Sequence, residues 1–142
     1  MRNAVAIMCV AWFWAAGAWG QVAVIAHKEV PLDTLSKAQL LDFYSCEIKF
    51  WSKELPVVVL DLKPQTEAKT SFYKFLGMTA SRMKSLWLKK MLMGEGEPPG
   101  AVKTEEEMLN KVATTPGALG FVSLKQSNKQ VKTLMMITAV QH

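Results

Sequence analysis

Three short apolar runs alternate with helix-patterned stretches, and this alternation constrains the fold more than any other feature of the chain. Val22-Ala23-Val24-Ile25-Ala26, Val57-Val58-Val59-Leu60 and Ala118 to Leu124 are each too short for a buried helix and rich in β-branched or small apolar residues, the signature of strands covered on both faces. A fourth run, Val131 to Thr138, contains Leu134-Met135-Met136-Ile137. Strands separated by helices imply a layered α/β domain with a largely parallel sheet of about four strands flanked by helices. The last two runs lie close together, with a hairpin-like turn at Ser127-Asn128-Lys129 between them, so an antiparallel hairpin is expected at one edge.

The helical stretches announce their own starts. Ser36 precedes Lys37-Ala38-Gln39, a capping box in which Ser36 and Gln39 exchange hydrogen bonds across the first turn. Thr66, Thr79 and Thr104 are the next candidate caps, and Glu105-Glu106-Glu107 places acidic side chains where a helix N-terminus favours them. Gly77 ends the second helix, and Gly94 to Gly100, with Pro98-Pro99 inside it, reads as loop. Pro116-Gly117 is a turn, and Gly117 and Gly120 bracket a point that needs a positive φ or a close backbone approach.

The N-terminus reads as an export signal. Arg2 precedes an apolar stretch from Ala4 to Ala16, and Ala18-Trp19-Gly20 is a small-x-small cleavage site before Gln21. The expected organisation is a signal peptide over 1–20 and one domain over 21–142, placed in the periplasm. No later stretch is long and apolar enough to span a membrane. Cys46 is the one cysteine after residue 20, so an internal disulfide framework is excluded. Cys46 reads as a small buried apolar group or a reactive thiol.

The formal charge is +5, but the lysines are scattered and no basic run is interleaved with aromatics as single-strand binders require, so no nucleic-acid partner is expected. The two histidines, His27 and His142, and the carboxylates show no metal-ligand spacing. No nucleophile sits in a recognisable catalytic setting. No cofactor, metal or enzymatic activity is expected, and the methionines are assigned to packing.

Four phrases, in order, give a family resemblance. They are Leu35-Ser36-Lys37-Ala38-Gln39-Leu40-Leu41-Asp42-Phe43-Tyr44, the turn Glu47-Ile48-Lys49-Phe50-Trp51, the helix entered at Thr66 and reaching Phe72-Tyr73, and Pro116-Gly117-Ala118-Leu119-Gly120-Phe121. Together they resemble the PstS-like substrate-binding proteins of phosphate ABC transporters, and the chain resembles a short, single-lobe member with one lobe of a type II periplasmic-binding-protein fold. The resemblance implies that phosphate or a similar oxyanion is held at a helix N-terminus, where unpaired N–H groups and the dipole attract anions. Carried onto this sequence it implies Thr66 as the hydroxyl, Lys63 and Lys69 as nearby cations, and Ser36 as a second capping hydroxyl. Glu67 and Ala68 stand where the family has a glycine and a further hydroxyl, and Cys46 stands at another family glycine. A single lobe cannot enclose an anion unless it dimerises or meets another protein. The alternative is therefore an envelope interaction module for a sensor, porin, motility or secretion machine, with Phe50 and Trp51 as its contact.

Overall fold

A computed structural model of the chain describes residues 21–138. The expected signal peptide over 1–20 lies outside the described residues. Five strands form the main sheet: β1 (Val22–Ala26), β4 (Val58–Leu62), β5 (Gly100–Val102), β6 (Ala118–Ser123) and β7 (Lys132–Ile137). A separate two-stranded ribbon pairs β2 (Phe50–Ser52) with β3 (Leu55–Pro56). Four helices complete the domain: α1 (Lys37–Tyr44), α2 (Glu67–Phe75), α3 (Ala80–Leu92) and α4 (Glu105–Thr114).

The sheet order is β5-β4-β6-β1-β7. β4 runs parallel to β5 and to β6, while β1 runs antiparallel to both β6 and β7. Four strands therefore point the same way and only β1 is reversed, which makes the sheet mixed and mostly parallel. The expected β6–β7 hairpin does not form. A 3-10 turn over Leu124–Gln126 and the residues to Val131 carry the chain across β1, and each of the two strands pairs with β1 instead of with its neighbour in sequence.

The helices start where the sequence places their caps. Ser36 and Gln39 form the full capping box, and Thr66, Thr79 and Thr104 each accept from the third backbone N–H beyond them. Successive residues of β6 show how both faces are covered. Gly120 faces α4, where a Cβ would crowd the Met108 sulfur. Phe121 faces the other way, stacking on Phe72 of α2 with ring centres 4.0 Å apart and Tyr44 of α1 behind it. Strand side chains alternate sides, so α4 covers one face and α1 with α2 the other. Trp87 brings in α3, its indole N–H donating to the Tyr44 carbonyl at 2.6 Å.

The ribbon accounts for the aromatic turn. Trp51 packs on Phe43 with ring centres 4.4 Å apart, and its indole N–H donates to the Gly117 carbonyl at 2.8 Å. Trp51→Phe should keep the packing and lose that bond, lowering stability by about 1 kcal/mol in denaturant titration. A midpoint unchanged from the parent would mean the bond contributes nothing.

Candidate functional site

The C-terminal end of β4 is where this sheet offers chemistry, as expected of open α/β sheets whose ligands bind at strand carboxyl ends. β4 is longer than the apolar run that defines it. It continues through Asp61 and Leu62, which pair with Ala101 and Val102 of β5, and the Asp61 carboxylate is supported internally. One oxygen accepts from the Leu62 N–H at 2.9 Å, and the other lies 3.5 Å from the Lys69 ammonium. Asp61 is 6 % exposed and Lys69 4 %. Burial holds the Asp61 carboxyl above its ordinary range, opposed chiefly by Lys69. The Lys69 ammonium also donates to the Leu62 carbonyl at 2.6 Å.

Two tyrosines stand behind this pair. The Tyr44 hydroxyl donates to the Leu60 carbonyl at 2.7 Å. The Tyr73 hydroxyl is buried with no partner at hydrogen-bonding distance, yet close enough to feel the Asp61 charge. Burial first, then that charge, pushes both phenols well above their usual range, so both stay protonated.

The residues expected to hold an anion are only partly brought together. Thr66 caps α2, with Lys63 exposed in the loop before it. The Thr66 hydroxyl accepts from the Lys69 N–H at 3.2 Å, which leaves the Glu67 and Ala68 amides as the helix-end donors without intrahelical partners. Lys69 is turned inward onto Asp61 and is almost fully buried, whereas Lys63 is exposed. Ser36 is far from Thr66. Its neighbour Lys37 lies over Phe75, the last residue of α2, at 5.4 Å, so Ser36 sits beside the opposite end of that helix. Of the proposed contact pair, Phe50 is 54 % exposed, whereas Trp51 is committed to Phe43 and Gly117.

Lys63 and Lys69 also line a cleft of about 360 Å³ with Asp61, Lys84, Trp87, Leu88, Met91, Pro98, Pro99 and Ala101 among its walls. Sequence reasoning missed Asp61, Lys84 and Trp87 as partners of those lysines. One signal was available: Lys69, Phe72, Tyr73 and Leu76 repeat at helical spacing, which puts Lys69 on the buried stripe of α2. A larger cleft, about 640 Å³, runs past Phe43, Cys46 and Gly96 and carries no buried polar pair of this kind. Cys46 borders it half-buried, with a positive φ of 67° and its thiol 3.4 Å from the Glu97 carbonyl. Burial pushes that thiol up, which disfavours the reactive thiolate.

No family model matches the chain. Solved structures do. A Clostridium perfringens protein assigned as a phosphate ABC transporter substrate-binding protein, solved with bound phosphate, superposes with a TM-score of 0.66 at 19 % identity, over 80 % of this chain and 43 % of its own. An ABC-type phosphate transport receptor from Vibrio cholerae gives 0.64 at 20 % identity, over 80 % and 45 %. PstS from Borrelia burgdorferi gives 0.60 at 15 % identity, over 84 % and 51 %. The fold is that of one lobe of these binding proteins. The chain spans about half the length of each of them. Within this fold, the exposed start of α2 and the lysine-lined cleft are both open to a ligand.

Proposed function

We propose that this periplasmic-binding-protein lobe binds phosphate or a similar oxyanion outside the inner membrane, after removal of residues 1–20. The observation that carries the reading is the start of α2. Thr66 caps it, its first amides lack intrahelical partners, and Lys63 is exposed in the loop that enters it. A helix N-terminus with a cation beside it is a natural anion site. The likeness to a phosphate-bound protein supports the choice of anion. Glu67, exposed in the first turn, weakens the local field, so binding should be modest and salt-sensitive.

The test is calorimetric titration of the purified protein with sodium phosphate at low ionic strength. Saturable binding is expected, weakened about tenfold or more in Thr66→Ala, a loss of the size expected for one hydrogen bond to a charged group. The same variant should cost about 1 kcal/mol of stability through the lost cap. Wild-type protein that gives no saturable heat with phosphate would rule the reading out. It would favour instead an envelope interaction module or a homodimer. Exposed Leu88, Met91, Leu92 and Met93 on α3 and the loop after it, together with Phe50, support that second reading.

A further inference from the structure

The cleft between α3 and β5 has a chemistry of its own. Its charged residues are Lys63, Lys69 and Lys84 against a single carboxylate, Asp61. The rest of the wall is mostly apolar: Trp87, Leu88, Met91, Pro98 and Pro99. Its volume, about 360 Å³, falls in the range of small-molecule pockets, about 300–1,000 Å³.

At the floor, an ammonium has three donors. The Leu62 carbonyl takes one from Lys69 and Asp61 attracts a second, the latter at 3.5 Å, so a third is free of protein partners among the described residues. Lys63 and Lys84 are both exposed at the cleft, and neither forms an ion pair among the described residues. An excess of positive charge is therefore set against a hydrophobic wall. Inorganic phosphate could satisfy the cations but would leave Leu88 and Met91 facing water. A neutral apolar molecule would leave the cations unused.

We propose that this cleft binds a small amphipathic carboxylate, its head on Lys63, Lys69 and Lys84 and its hydrocarbon part against Trp87, Leu88, Met91, Pro98 and Pro99. The site is distinct from the helix start at Thr66, although Lys63 borders both. Head and tail both contribute. Charge attraction is weakened by salt, because Lys63 and Lys84 are exposed, while the apolar contribution grows with each methylene buried.

The experiment titrates the purified protein calorimetrically with sodium butanoate, hexanoate and octanoate at low ionic strength. One saturable site is expected, tightening about tenfold for each added pair of methylenes. Lys84→Glu and Leu88→Asp, both at exposed positions that leave the core intact, should each weaken octanoate binding about tenfold or more. Lys53→Glu, exposed in the β2–β3 ribbon that packs at the opposite, Gly117 end of the sheet, should leave it unchanged. Octanoate binding unaltered by Lys84→Glu and Leu88→Asp, affinity independent of chain length, or no saturable heat at the highest soluble octanoate would each overturn the proposal. The phosphate reading turns on Thr66 and this one on Lys84 and Leu88, so either can fail while the other stands.

Discussion

Replacing Gly117 with valine should leave the chain unable to complete its sheet. Gly117 has a φ of 80°, in the left-handed region, and a Cβ there would overlap the Pro56 carbonyl oxygen. Its own carbonyl is also a junction. It accepts from the Val58 N–H at 2.9 Å, which starts β4, and from the Trp51 indole, which anchors the ribbon. A β-branched side chain resists positive φ at a cost of about 1–3 kcal/mol. The overlap is with backbone, which cannot swing aside as a side-chain end could. Relieving it means moving Pro56 or Gly117 and weakening both hydrogen bonds, a combined loss comparable with the whole stability of a small domain, about 5–15 kcal/mol. Circular dichroism and thermal melting should show a largely unfolded or insoluble protein, while Pro116→Ala, at the exposed neighbouring position, melts close to wild type. A Gly117→Val protein melting within about 5 °C of wild type would show that the junction is soft.

The second large effect is expected at the buried ion pair. Lys69→Met removes the partner of a carboxylate that is itself almost fully buried. Stranding one charge of a buried pair typically costs about 3–5 kcal/mol. The pH dependence gives the cause a signature. The Asp61 pKa is already raised by burial and restrained mainly by Lys69, so losing Lys69 raises it further. A group whose folded pKa lies above its unfolded value stabilises the fold fully below the unfolded pKa, and that contribution is lost as pH rises through the folded pKa. The deficit of Lys69→Met relative to wild type should therefore be largest near neutrality and shrink as pH falls through the range in which Asp61 takes up its proton. The double variant Asp61→Asn with Lys69→Met should recover much of the loss at pH 7, since neither charge is then stranded. Denaturant titrations across the acid range decide the matter. A deficit that stays constant with pH would mean the lost lysine stem, not the lost charge, is responsible.

Much of this architecture was legible in the chain. The apolar runs became strands, and Ser36, Thr66, Thr79 and Thr104 each cap the helix that follows. Gly117 and Gly120 answer to the two expected causes, a positive φ at the first and close packing at the second. Partner choice was not legible. Hydrophobic pattern says that Val22–Ala26 is buried on both faces but not which strands flank it, so the insertion of β1 between β6 and β7 could not be read. β5 is only three residues after a double proline, too short to leave a periodic signal. At the site, Thr66 and Lys63 could be placed from local sequence because one helix start positions them. Lys69 could not be assigned by adjacency to the loop alone, because its environment is set by Asp61 at the end of the preceding strand and by the helical stripe it shares with Phe72, Tyr73 and Leu76. Ser36 failed to join Thr66 for a related reason: two good caps belong to two helices, and nothing in a cap specifies where another helix will lie.

The reversed strand bears on how the molecule is made. β1 is the first element described in the chain, and its two sheet partners are the last, with Val22 opposite Ser123 on one side and Ile137 on the other. During vectorial synthesis it must wait for nearly the whole domain before it can be paired. Such distant closures fold slowly and leave apolar strand edges uncovered meanwhile. Truncation within β7 should thus damage the opening strand as much as the closing one, and a nascent chain halted before Ala118 would carry Val22–Ala26 as an unpaired, aggregation-prone segment.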